Sequence, residues 1–373
     1  MFNVRRGQRA GVAIMSAWVG MTTAAACGGS DQDEDRSASA TTAPPNAGPS
    51  APAISASLPT AGATTPSTTS ASTVAVERVQ LAGHREVETG GGPAILAATD
   101  DTLWIELHRA SHLAGLDPET MTVELLTDVP AHCGISTVNG VVWTTIHRQS
   151  LVTRTDAETG ATALIEIPHA CGLAATNDAV WISDPNDGLV HRLDPQTGDL
   201  LDTINVPEAP TNLSLVGDLL FVTGEGSGGW LDVVDVATGE VVHSHAWPQI
   251  AHFDSVVPGF GAVWAAGRGD PRLFELDAVT GDVIGTTEIG GNPSGIAVGE
   301  HELWITLLKG DLLRFDPSTD QVTAVFSSEY TWLASPVLAF GSLWMTSLEE
   351  NVVIRVDPAT LTGDISASVA PSP

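Results

Sequence analysis

Residues 295–326 read GIAVGEHELWITLLKGDLLRFDPSTDQVTAVF, and this stretch decides the fold. Gly295 to Gly299 is a short apolar strand. A polar turn at Glu300, His301 and Glu302 leads into Leu303-Trp304-Ile305-Thr306, where apolar and polar residues alternate. After a loop, Leu312 to Phe315 forms a third strand. Asp316-Pro317-Ser318-Thr319 follows as a turn: Pro presets φ at its second position, and the Asp side chain accepts from backbone N–H groups two residues on. Gln321 to Phe326 then runs as a fourth strand. Four short strands in roughly 40 residues, with period two and no helical period, are the signature of a β-propeller blade.

The same unit recurs along the chain, which is the first thing to look for in any sequence. A bulky aromatic opens the second strand at Trp104, Trp143, Trp181, Phe221, Trp264, Trp304 and Trp344, in steps of 39, 38, 40, 43, 40 and 40 residues. Each copy carries an Asp-x-x-Thr turn, starting at Asp117, Asp156, Asp194, Asp235, Asp277, Asp316 and Asp357. The expected fold is all-β: one seven-bladed propeller of four-stranded antiparallel blades over residues 93–369, with a tail at 370–373. The repeat also explains an odd composition. Aromatics make up only 5% of the chain, yet there are 10 Trp against one Tyr, because seven copies use an indole or its substitute for one job. Glu86 to Glu88 and Ile365 to Val369 both look like outer strands able to complete the last blade. The expectation is that the C-terminal one does so, with residues 76–92 a lead-in strand or cover that protects an edge.

A strand of Leu-Trp-x-Thr type followed by Asp-Pro-x-Thr-Gly resembles the seven-bladed propellers grouped around virginiamycin B lyase and the NHL and YVTN repeats. The resemblance covers about three quarters of the chain and rests on the residues that build blades. It implies the propeller. In the virginiamycin B lyase family it also implies a His base and a carboxylate-held divalent metal at the channel mouth. Here Glu106-Leu107-His108 is the stretch that resembles that arrangement.

Ahead of the repeats lies an address. Arg5, Arg6 and Arg9 precede an apolar run from Gly11 to Ala26, too short to span a bilayer as a helix and of signal-peptide type. Residues 1–26 are therefore read as a lipoprotein signal peptide. Ala24-Ala25-Ala26-Cys27-Gly28 resembles a bacterial lipobox, with Cys27 the acylated residue; an ordinary signal-peptidase cut near the same Ala run is the alternative. Residues 27–75 begin with the acidic run Asp31 to Asp35 and continue as an Ala/Ser/Thr/Pro-rich segment that cannot bury enough apolar surface to order itself. They are read as a disordered tether, holding the propeller at the outer face of the cytoplasmic membrane.

Charge narrows the function. The chain has 45 acidic and 15 basic residues, a net charge of −30, and Lys309 is its one lysine. A nucleic-acid binder needs a basic footprint, so nucleic acid is excluded as a partner. The expected partners are a ligand or a cell-envelope protein, and the expected state is a monomer.

Residues that every blade shares are structural, so functional candidates are those that break the repeat. In an antiparallel blade the entry to the first strand and the loop between the second and third strands share one face, here called the top. First-strand entries place His132, His169, His252 and Asp254 there. The loops add Glu106, His108, His147, Asp184, Glu225, Arg268 and Lys309, and the last copy adds Glu349 and Glu350. Imidazole with carboxylate suits one divalent ion such as Zn²⁺ or Mn²⁺, and His beside a carboxylate can serve as a general base. His132, His169, His252 and Asp254 form the expected metal set; the other reading is a solvated polar rim. Cys133 and Cys171 each lie ten residues before their Trp in adjacent copies. A disulfide clamping blades 2 and 3 is one reading, and two buried small side chains the other. The leading functional expectation is a non-catalytic binding module at the cell surface. A metal-dependent lyase or hydrolase, and an extracytoplasmic sensor or assembly factor, are the alternatives.

Overall fold

A computed structural model of the chain describes residues 78–126, 129–131, 133–206, 209–224, 228–250 and 252–361. The expected signal peptide and tether, with Cys27, lie outside these residues, as do His132, Glu225 and the C-terminal segment from residue 362. The described strands pair into seven sheets, one per repeat, with the four strands of each blade antiparallel. Blade 6 shows the pattern read from the sequence: Pro293–Val298, Leu303–Leu307, Asp311–Asp316 and Gln321–Ser327, in that order from the axis outward. The first strands of successive blades pack side by side around the ring, and that of blade 7, Leu333–Ala339, packs against that of blade 1, Pro93–Ala98.

The ring closes in a different way from the expectation. The strand beside Val352–Val356 of blade 7 is Arg85–Glu88 from the start of the repeats, antiparallel and in register from Arg85 opposite Arg355 to Glu88 opposite Val352. The N-terminal segment holds that place, and residues 365–369 lie outside the described residues. Arg78–Gln80 pairs parallel to the outer strand of blade 6, and Arg78 Nη1 meets Asp311 Oδ2 at 2.7 Å. The lead-in therefore covers one edge and completes another. Unpaired strand edges invite unwanted pairing, so both contacts close a hazard with backbone already present.

The hydrophobic core is divided into seven clusters, each lying between one blade and the next. Trp264 of blade 5 packs with Ile296, Leu303, Ile305 and Phe315 of blade 6. Trp344 of blade 7 packs with Leu96, Leu103 and Ile105 of blade 1, and Trp181 of blade 3 with Leu213, Leu220 and Val222 of blade 4. The indole of each repeat thus fills the wedge to the next blade, as a large aromatic surface should. Phe221 takes the same place between blades 4 and 5. On the bottom face the turns repeat almost unchanged. Asp194 Oδ1, for example, accepts the N–H groups of Gln196 and Thr197 at 2.8 and 2.9 Å. These N–H groups hold the Asp194 carboxyl below the ordinary aspartate range.

Candidate functional site

The densest set of repeat-breaking side chains lies at the top of blade 3. Asp184 ends the second strand, Val180–Asp184, and is fully buried. Its Oδ1 accepts the N–H groups of Asn186 and Asp187 at 3.0 and 3.1 Å, which folds the loop 184–188 back over the strand end. His169, on the segment entering the blade, places Nδ1 3.3 Å from Asp184 Oδ1 and 3.6 Å from Asp187 Oδ2. From the third strand, Leu189–Leu193, His191 Nε2 approaches Asp184 Oδ2 to 3.8 Å. Burial pushes the His191 imidazole toward its neutral form. Asp184 Oδ2, His169 Nδ1 and His191 Nε2 are all buried atoms with no hydrogen-bond partner. Among the described residues, His169, Asp184 and Asp187 are the set whose donor atoms lie close enough together, within 4.8 Å, to share a metal ion.

Blade 2 fixes this entry segment from the side. The His147 Nδ1–H donates to the His169 carbonyl at 2.9 Å, and the His169 N–H donates to Ser150 Oγ at 3.2 Å. Both partners belong to the single-turn loop that follows Val141–Ile146. Cys133 of blade 2 and Cys171 of blade 3 are joined by a disulfide with their Cα atoms 5.1 Å apart. Thr145 Oγ1 also donates to the Cys171 carbonyl. His169 is held in the left-handed region at φ 48°, a conformation uncommon for a residue with a side chain.

The other candidates fall into separate groups. In blade 5, His252 Nε2 hydrogen-bonds Asp254 Oδ1 at 3.0 Å, and Arg268 Nη2 donates to the same oxygen at 2.8 Å. Arg268 also lies over the Trp332 ring, 5.9 Å from its centroid. Asp254 is thereby engaged by a guanidinium, so its charge is already balanced. Of the expected metal set, His169 therefore groups with Asp184 and Asp187, while His252 and Asp254 pair with each other two blades away. In blade 1, Glu106 is fully buried with no hydrogen-bond partner on either oxygen, and His108 Nδ1 lies 3.5 Å off. Burial raises the Glu106 carboxyl. At the rim, Arg109 Nη2 meets Glu349 Oε1 at 2.9 Å, tying blade 1 to blade 7. Glu350 accepts from Thr331 Oγ1 at 2.8 Å, and Lys309 stands exposed.

Two members of the blade 3 group, Asp187 and His191, were not singled out from the sequence. The loop Asp184-Pro185-Asn186-Asp187-Gly188 carries two Asp separated as the ends of a tight turn, and that spacing was the available signal for Asp187. His191 stands at an alternating position inside the strand Leu189–Leu193, which carries no separate signal in the sequence.

No family model matches the chain, and no curated protein matches it. Solved structures do. A streptogramin B lyase structure is 16% identical with a TM-score of 0.63, over 73% of this chain and 96% of that one. A chain of the hydrazine synthase of Kuenenia stuttgartiensis is 14% identical with a TM-score of 0.63, over 72% and 97%. BamB from Moraxella catarrhalis is 18% identical with a TM-score of 0.52, over 71% and 84%. At these identities the likeness is one of fold, and folds of this kind carry unrelated functions. What this chain shares with them is the propeller.

Proposed function

We propose that the protein is an exported, lipid-anchored propeller whose top face binds a ligand or a protein of the cell envelope without catalysis. The observation that carries this reading is the asymmetry between the two faces. The bottom presents seven versions of one turn, whereas the buried repeat-breaking groups Glu106, Asp184, His252 and Asp254 lie at the top, with His169 beside Asp184. Cys27 supplies the anchor, and residues 28–75 supply the reach that presentation at a surface requires. A non-catalytic role suits the distribution of the polar groups. They form several local pairs in blades 1, 3 and 5 rather than one converging constellation with a nucleophile, base and oxyanion donors.

The test compares faces. Affinity capture from cell-envelope extracts is run with the full chain, with a top-face variant (Arg109→Ala, Lys309→Ala) and with a bottom-face variant (Glu119→Ala, Gln196→Ala). A species held by the wild type and the bottom variant but lost from the top variant supports the reading. Equal capture by both variants contradicts it. Cys27→Ser should release the protein from the membrane fraction, and retention there would remove the anchor from the proposal.

A further inference from the structure

We propose that the top of blade 3 is a site for one divalent transition-metal ion, with His169 Nδ1, an Asp184 oxygen and an Asp187 oxygen as the protein ligands. Donors about 2.1 Å from a tetrahedral ion stand about 3.4 Å apart. The distances from His169 Nδ1 to the two carboxylates are 3.3 and 3.6 Å, on either side of that value. One imidazole with two carboxylates is a set suited to Zn²⁺ or Mn²⁺ rather than to Mg²⁺ or Ca²⁺, which prefer all-oxygen shells.

The second line of argument is unsatisfied chemistry. Asp184 is buried, and its Oδ2 has no hydrogen-bond partner. His169 Nδ1 is buried, faces two carboxylates, and makes no hydrogen bond. Buried charge of this kind is tolerated when it is paired or coordinates a metal. His191 lies behind Asp184 Oδ2, where an imidazole can orient a ligating carboxylate from outside the coordination shell. The site is also prearranged. The backbone N–H and carbonyl of His169 are both held by blade 2, and Cys171, two residues on, is fixed by the disulfide. Supports of this sort keep ligands in place before the ion arrives. Asp187 is exposed, so the ion would have a path from solvent, and three protein ligands leave a coordination position open to an incoming group.

The site goes beyond the binding reading and does not depend on it, since the ion can be assayed without any partner. The full chain is stripped with a chelator, dialysed under non-reducing conditions and titrated calorimetrically with Zn²⁺. Bound metal is counted by elemental analysis after gel filtration. The expected result is one ion per chain, with affinity at least tenfold weaker in Asp187→Asn and in His169→Ala and unchanged in His252→Ala. Asp187 is exposed, so its amide variant keeps the fold, and the thermal transition of the metal-free variant verifies this. A chain that retains no stoichiometric ion would overturn the proposal. Binding that survives Asp187→Asn at full strength would overturn it as well.

Discussion

Glu106 shows how much one side chain can depart from its repeat. Two residues after the blade aromatic, the other copies carry Thr145, Ser183, Thr223, Ala266, Thr306 and Thr346. Where a hydroxyl stands, it can stitch blades together: Thr145 donates to the Cys171 carbonyl of blade 3, and Thr346 to the Ala94 carbonyl of blade 1 at 3.1 Å. Glu106 places a carboxyl in that buried position with no hydrogen-bond partner. Desolvation raises its pKa from 4.5, opposed by His108. The sign follows directly. The fold prefers the neutral acid, so the penalty is absent below the unfolded value and grows as pH rises through the raised one. Glu106→Thr should therefore be more stable than the wild type at pH 7, by about 1–3 kcal/mol, and the gain should shrink toward pH 4. Urea unfolding at the two pH values measures this, and a variant no more stable at pH 7 would show that the charge is compensated in place. The sequence reading places Glu106 in the loop after the second strand, whereas it lies within the strand Leu103–Leu107. That reading could not show that the side chain turns inward, since that depends on the neighbouring blade.

At the scale of elements, period and turn chemistry were sufficient for nearly every strand, because each blade is built from contacts local in sequence. Trp304 and the Asp316 turn sit where the alternating pattern puts them. Ring closure was not legible. Glu86 to Glu88 and Ile365 to Val369 have the same alternating character, and nothing local says which one crosses to Val352–Val356; that pairing is long-range. The disulfide is also a long-range element, tying the entries of blades 2 and 3 across 38 residues. Closing a loop of that size in the unfolded chain is worth about 2–4 kcal/mol. The double variant Cys133→Ala, Cys171→Ala should lose that much stability in thermal or denaturant unfolding. Reductant should lower the wild type in the same way and leave the variant unchanged. Equal stability of the two oxidised proteins would mean that the bridge contributes nothing.

On the scale of the whole molecule, sevenfold repetition acts as an internal control. The Asp-x-x-Thr turns and the interblade aromatics recur, so they account for the fold. The clusters on the top occur once each, so they do not. Strand order places each candidate on a face only as an expectation. A candidate's angular position around the ring could be read only blade by blade, which is why His169 found Asp184 in its own blade while His252 and Asp254 lie apart from it. An acidic chain of net charge −30 also favours a cation or a neutral group on that face over an anion. The most direct measurement is photo-crosslinking in cells, with a photoreactive amino acid placed singly at Gln149, Asn186 or Glu349 on the top and at Glu119, Gln196 or Ser318 on the bottom. Discrete adducts from the top positions alone are the expected result. Adducts of equal yield from the bottom positions, or from the bottom alone, would contradict a binding surface at the top.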